Sequence, residues 1–490
     1  MTQALIAALS LVLLLPVVIG FVFASLFWPR DIPFRRLVLI RCCLGVGVGF
    51  GLFSCFFFIW LLLFGPSSKG LVATQVILGG CACAILIYRA RIARTSPALE
   101  LPRGKPSDTK RHWILLGGFV FMLAVAITNL AVLALKKPHG DWDAWAIWNM
   151  RARFIFKGGP FWRDAFSYVI DRSRPDYPIL LPASIAGIWT AIGTDTVIVP
   201  AVLAILFTLA IVGLTVSSLS ILRGKSQALF AGLVLLGTPL LITHTASQYA
   251  DVPLGFFFLA TLVLISFQDN LASNAGDFML LAGITAGLSA WTKNEGLLFV
   301  VSIVVARFVC ILPVKGARFC FRQMLFFATG LTPILLIILY FKVNFAPPNY
   351  VVALQGSSDI VAKLLDPSRY ALVWETFAKQ IPEFGGWAVS VPLLLVFYLL
   401  IVGTAFQGRS KLSIGTSLIT LCLMLLGYSM IYVVTPIDVK YQLDTSLNRI
   451  LLQLWPSFVF TYFLAVRPIE RVALGNPAQG AHEVLEAEIG

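Results

Sequence analysis

Charge is scarce in this chain. Only 12% of its 490 residues are Asp, Glu, Lys or Arg, against 59% hydrophobic, and the mean hydropathy is +0.89. Soluble domains carry roughly a quarter charged residues, so a soluble globular class is set aside. Short alternating strands are also lacking, which sets aside a porin-type barrel. Acids are rarer than bases, 23 against 37, for a formal net charge of +14. In a soluble protein that balance would suggest nucleic acid. Here the Lys and Arg residues gather in short loops between apolar runs, as cytoplasmic loops of membrane proteins do, so no nucleic-acid partner is expected.

Metal and redox signatures are missing too. The 4 histidines do not cluster and no HExxH occurs. The 8 cysteines fall mostly inside apolar runs, as Cys42, Cys43, Cys81 and Cys83 do, without paired CxxC spacing; packing is the expected role. No Walker or dinucleotide glycine pattern appears, so a nucleotide cofactor has no support. There is no internal repeat. The start lacks a basic region before its apolar run and a cleavage site, and reads as a first span rather than a removed signal peptide.

What fills the chain is apolar runs of spanning length. Spans are predicted near 4–27, 37–64, 70–88, 113–135, 196–221, 228–243, 252–268, 277–291, 297–312, 323–341, 390–406, 412–434 and 449–466. The fold class is therefore all-α and polytopic, with about 13 transmembrane helices. Charge sets the orientation. The most basic short loop, RARIARTSPALELPRGKPSDTKR (89–111), is placed inside, which puts WPRDIPFRR (28–36) inside as well. If YPILLPASIAGIWTAIG (177–193) lies at the interface instead of crossing, then LRGKSQ (222–227), VKGARFCFR (314–322), QGRSK (407–411) and RPIER (467–471) all fall inside. External loops are then 136–195, 244–251, about 292–296, 342–389 and 435–448. The expected divisions are 1–112, an added module of three spans with a packing role; 113–466, the catalytic membrane domain; and 467–490, a cytoplasmic tail.

The unusual polar residues collect in those external loops. GDWDAWAIWNMRARFIFKGG places Asp141 and Asp143 among Trp142, Trp145 and Trp148. A spacing of two does not put both acids on one helix face. Asp143 could cap the following helix, or the pair could take a hydroxyl proton or hold a metal. Asp141-Trp142-Asp143 is formally D-x-D, a pattern too short to be specific, so a divalent metal stays open. The tryptophans would also suit an aromatic belt on an interfacial helix. RSRPDYPILLP (172–182) is either a proline-stiffened connector or brings Arg172 and Arg174 to a phosphate. HTASQYADVPLGFF (244–257 and Phe258) contains His244, and its Asp251 opens a helix beside Pro253 or is a second acid of a site. GLSAWTKNEGLLF (287–299) interrupts apolar sequence with Lys293 and Glu295; charges at membrane depth are either paired with each other or functional. Arg449, external and ahead of an apolar run, goes against the positive-inside pattern, and an anionic headgroup would account for it.

In order and membrane side these motifs resemble the GT-C superfamily of membrane glycosyltransferases, and within it the protein O-mannosyltransferase and lipid A aminoarabinose transferase group. The resemblance rests on the acids of the first large external loop, on YPILLP, on Ala250-Asp251 with Pro253, on TKNEG (292–296), and on Asn448-Arg449 followed by ILLQLWP. It covers roughly 113–466; the first three spans depart from the family's usual start. The resemblance implies a GT-C-like fold with juxtamembrane helices in the first external loop. The implied activity is inverting transfer of a sugar from a polyprenyl-phosphate carrier to a lipid, glycan or protein acceptor outside the cytoplasm. Asp143 stands at the base position, with Asp141 or Asp251 assisting. Lys293 and Arg449, with Arg151 and Arg174, are the implied ligands of the donor phosphate. Trp142, Trp145, Trp148, His244, Glu295 and Tyr177 are possible substrate contacts. A bacterial inner membrane suits the charge pattern, with the site facing the periplasm. The alternatives are a lipid-linked glycan ligase or polymerase, or a secondary transporter.

Overall fold

The computed structural model describes residues 3–29, 37–93, 109–271, 276, 278–349, 353–405 and 410–467. The basic stretches 30–36, 94–108 and 406–409, and the tail from 468, on which part of the orientation reading rests, lie outside the described residues. Among the described residues the chain is helical throughout; the sole strand-like feature is an isolated antiparallel bridge between Thr404 and Val466.

Twelve of the thirteen predicted spans fall on a single helix each and the one at 228–243 falls on a bent pair, and they are not equivalent. Nine helices among the described residues are long and apolar enough to cross a membrane, ten if one bent pair is a single span. The nine include α1 (Gln3–Leu26), α2 (Val38–Phe64), α3 (Leu71–Ala93) and α4 (Thr109–Lys136). A short α5 (Asn149–Lys157) and α6 (Leu180–Ile192) precede α7 (Ile198–Leu222). The bent pair is α8 (Lys225–Leu236) with α9 (Pro239–Ala246), turned by 57° where Thr238 and Pro239 break the backbone ladder. Then follow α10 (Asp251–Asn270), α11 (Met279–Thr292), α12 (Glu295–Lys315) and α13 (Ala317–Asn344). Two amphipathic helices, α14 (Ser357–Leu364) and α15 (Pro367–Glu383), lead to α16 (Val391–Val402), α17 (Ser410–Val434) and α18 (Val439–Ala465). The predicted spans at 277–291 and 390–406 correspond to α11 and α16, which at 14 and 12 residues are shorter than a typical span.

The segment expected at the interface is the 13-residue α6. It is too short to cross alone, and it is buried along almost all its length, with the Ser184 hydroxyl donating to the Phe50 carbonyl of α2. The central element is α10, whose spanning stretch is wholly buried. Around it stand α2, α7, α11, α17 and α18. The first three helices are unequal partners: α2 sits deep in this packing and ties to α11 through the Trp291 indole N–H and the Ser54 hydroxyl (3.0 Å), whereas α1 and α3 leave most of their surface uncovered. A helix apolar on every face and completely enclosed has little reason to begin with a carboxylate unless that end is satisfied by something specific. Asp251 is the first residue of α10.

Candidate functional site

The Asp251 side chain has no exposed surface. Its two oxygens divide four hydrogen bonds between them. Oδ1 accepts from Lys293 Nζ at 3.0 Å and Gln453 Nε2 at 2.6 Å; Oδ2 accepts from Arg449 Nε and a terminal Arg449 nitrogen, both at 3.2 Å. The same guanidinium donates to Asp143 Oδ2. Lys293 also pairs with Glu295 at 2.9 Å. Three carboxylates and two cations thus form one continuous network, with one negative charge in excess. Two tyrosine rings flank it: Lys293 Nζ lies 5.7 Å from the Tyr177 centroid, and the Arg449 guanidinium 4.7 Å from that of Tyr249.

The backbone explains how residues so far apart in sequence meet. Lys293 adopts an extended conformation in the turn between α11 and α12. Gly296 lets this turn close: a Cβ there would stand 2.1 Å from the Ser289 carbonyl oxygen. Arg449 and Gln453 are four apart on α18 and share a face. That helix starts ten residues before the predicted span, because Asp438 caps it by accepting the Tyr441 N–H at 2.8 Å. Asp143 lies just before a π-helical turn, Ala144–Trp148. It makes no capping hydrogen bond there; its carboxylate turns to Arg449 instead. Gly140, at φ +73°, brings the loop against the Ser247 carbonyl, where a Cβ would clash at 2.6 Å.

The remaining sequence-derived candidates separate into groups. Asp141 joins none of this network: it accepts from Lys137 Nζ at 2.7 Å and from the Ser247 hydroxyl at 3.0 Å, and the Lys137 hydrogen bond holds its carboxyl below the usual range. Arg151 is completely buried and donates to the backbone carbonyls of Tyr177 (2.9 Å) and Arg174 (3.4 Å), with Phe166 against its face. Burial pulls its guanidinium down to about 9, against the pull of Asp176. Arg151 thus braces the turn at 174–177, and Arg174, at φ +50°, forms that turn by accepting the Tyr177 N–H. Trp148 is buried and stacks on Tyr177, while Trp142 and Trp145 are 54% and 46% exposed and meet edge to face. His244 engages the Leu240 carbonyl through Nδ1 and lies edge-on to Tyr249, one ring away from Arg449.

Gln453, Tyr428 and Tyr249 escaped the sequence reading. Gln453 holds Asp251 on one side and accepts the Tyr428 hydroxyl at 2.6 Å on the other. A signal existed for Gln453, the polar residue one turn after Arg449 in an apolar stretch; Tyr428 carries none. Among the described residues no three His, Cys, Asp or Glu side chains form a metal-ligand group. Asp143 and Asp251 face a shared guanidinium. An apolar groove of about 360 Å³ opens beside this end of the bundle, lined by Leu297 of α12 and by Leu335, Leu336 and Leu339 of α13, with Lys342 at its end. Lys342 reaches the Asn294 side chain at 2.7 Å, next to Lys293 in sequence.

Compared with known proteins, the chain matches no family model, no curated protein and no solved structure.

Proposed function

We propose that this multi-pass membrane protein is an inverting glycosyltransferase of GT-C type that moves a sugar from a polyprenyl phosphate to an acceptor on the extracytoplasmic side of a bacterial inner membrane. The observation that carries the reading is the single network Asp143–Arg449–Asp251–Lys293–Glu295 at one end of an apolar bundle, beside an apolar groove. Buried ion networks do not stabilise a fold better than apolar packing of equal volume, so their retention here calls for a use.

Asp143 is the base. It is 13% exposed where Asp251 is sealed, and Arg449 is its partner. A donor phosphate entering beside Arg449 and Lys293 competes with the carboxylates for the two cations. As the phosphate draws Arg449, Asp143 is released to take a proton. The acceptor hydroxyl or amine then loses its proton to Asp143, its heteroatom bonds to the anomeric carbon, and the carbon–oxygen bond to phosphate breaks with inversion. Polyprenyl phosphate departs with the electron pair, its added charge met by Lys293 and Arg449. Asp251 keeps both cations oriented throughout. The prenyl chain occupies the α12–α13 groove, and Trp142 and Trp145 stand at the open side of Asp143 to meet the sugar or acceptor.

The test uses protein in liposomes, wild type and Asp143→Asn, given labelled polyprenyl-phosphate sugars and an envelope extract as acceptor. Loss of the base lowers transfer by about 10²-fold or more. Equal transfer by the two proteins removes Asp143 from the mechanism. Transfer of a preassembled oligosaccharide in place of one sugar converts the reading to a ligase.

A further inference from the structure

A second polar node lies next to the charged network and has no part in the mechanism above. Its centre is Asp176, 4% exposed, in the proline-flanked turn RPDYP. The Asp176 carboxylate accepts from Asn294 Nδ2 and from Asn349 Nδ2, both at 2.8 Å. Its backbone carbonyl accepts from Lys342 Nζ at 2.5 Å, and the same ammonium donates to Asn294 Oδ1 at 2.7 Å. One acid therefore gathers four pieces of chain: the 174–177 turn, the α11–α12 junction, the end of α13, and the segment that leaves α13 toward α14.

Asn294 is what makes this node consequential. It sits between Lys293 and Glu295, whose side chains belong to the charged network. Its own side chain uses both of its ends, the amide nitrogen on Asp176 and the oxygen on Lys342. The turn it belongs to is short, closed by Gly296 N–H to the Lys293 carbonyl at 3.0 Å, so a rotation of Asn294 moves its two neighbours. Asp176 is in turn braced from behind: Arg151 holds the carbonyls of Arg174 and Tyr177 on either side of it. A bare turn would need neither a buried carboxylate nor a lysine to hold one asparagine.

We infer that Asp176 is a positioning residue, which through Asn294 fixes Lys293 for the phosphate and links that placement, through Asn349 and Lys342, to the loop entering α14 and to the lipid-facing groove. The geometry is independent of the reaction; its consequence for turnover rests on the glycosyl-transfer reading.

The experiment reads Lys293 directly. Full-length protein in liposomes is treated with an amine-acetylating reagent, and acetylation of Lys293, Lys342 and the exposed control Lys379 is followed by mass spectrometry. Asp176→Ala is expected to speed acetylation of Lys293 by about tenfold, the scale of one or two lost hydrogen bonds to a charged group, with Lys379 unchanged. Asn294→Ala, the second variant should the first fail to fold, has the same expected effect. The exchange Asp176→Asn with Asn294→Asp reverses the direction of the hydrogen bond between them while leaving an acceptor for Asn349 and for Lys342, and it is expected to return Lys293 to its wild-type rate. Unchanged Lys293 reactivity in both alanine variants overturns the inference, as does an exchange variant that folds but stays fast. Turnover of a polyprenyl-phosphate sugar is measured in parallel. If it follows Lys293 across the variants, the positioning role extends to catalysis; an exchange variant that restores Lys293 but not turnover denies that role. If wild type consumes no donor while the labelling behaves as expected, the glycosyl-transfer reading fails and the placement of Lys293 by Asp176 stands.

Discussion

Asp251 and Asp143 share one guanidinium, yet the same substitution should cost stability at one and activity at the other. Replacing Asp251 with Asn removes one negative charge from a network of three carboxylates and two cations. A tally of charge alone makes that an improvement, since the excess of one disappears. Geometry says the reverse. Both Asp251 oxygens accept two hydrogen bonds, so whichever oxygen becomes an amide nitrogen is left pointing its hydrogens at two donors. No water reaches the site to relieve this, because the side chain is fully enclosed. Breaking a buried pair from one side costs about 3–5 kcal/mol. Asp143→Asn keeps an amide oxygen that can accept from Arg449 and loses only the charge of that contact, leaving Arg449 with both bonds to Asp251, a loss of about 1–2 kcal/mol. Thermal unfolding in one detergent, followed by tryptophan emission, should therefore rank wild type first, Asp143→Asn close behind and Asp251→Asn well below. Transfer activity at a temperature where all are folded should be lowest for Asp143→Asn. An Asp251→Asn protein that melts with the wild type refutes the claim that Asp251 is the structural anchor of the cations. A large destabilisation by Asp143→Asn instead would exchange the two roles.

Other parts of the structure give sharper single tests. Leu335→Trp fills the α12–α13 groove and should weaken donors with long prenyl chains by about tenfold, the worth of burying about two methylene groups, while leaving a short-chain analogue unaffected in the same competition assay. Arg151→Lys keeps the charge but loses the planar fork that spans the carbonyls of Arg174 and Tyr177; limited proteolysis should then cut near 174–177 faster than in wild type. Asp195 pairs with Lys157 at 2.8 Å and Arg153 at 3.4 Å, and the Lys157 hydrogen bond holds its carboxyl below the ordinary 3.8. A depressed folded value stabilises above the unfolded value and fades as pH falls through the folded one. Asp195→Asn should accordingly melt slightly below wild type at neutral pH, by less than about 1 kcal/mol for so exposed a pair, and the difference should close in acid below 3.8.

The sequence was most informative where a charge interrupts an apolar stretch. Lys293 and Glu295 were conspicuous for that reason, Asp251 at the start of an apolar helix and Arg449 against the positive-inside pattern, and the fold brings all four, with Asp143, into contact. Helix positions were equally readable from apolar runs, because a spanning helix satisfies its backbone internally and needs only length and greasiness. Length did not reveal which helices are whole spans. Pro239 marks the kink between α8 and α9 in the sequence, yet the apolar run continues across it, and the short α11 and α16 lie in apolar runs as long as those of whole spans. Arg151 is a different case. It sits in the same motif as Asp143 and reads as an anion ligand, while the fold buries it with its two terminal nitrogens on backbone carbonyls. From sequence, an arginine that will meet a ligand and one that will brace a turn look alike, and the difference lies in which carbonyls the later proline-rich turn presents.

Asp141 and Asp143 show how two adjacent acids are assigned by a single backbone feature. They are separated by one residue and point to different partners, Asp141 to Lys137 and Ser247, Asp143 to Arg449. The π-helical turn after Asp143 adds one residue to the helical register, and such an insertion rotates everything before it relative to the helix that follows. Asp143 itself has helical backbone angles, φ −66° and ψ −31°, one residue into the helix, so it is not placed to cap it, and its carboxylate is directed to Arg449 on α18 instead. Asp141, two residues earlier, stays with the loop that Gly140 pins against Ser247, and its carboxylate is taken by Lys137 and the Ser247 hydroxyl.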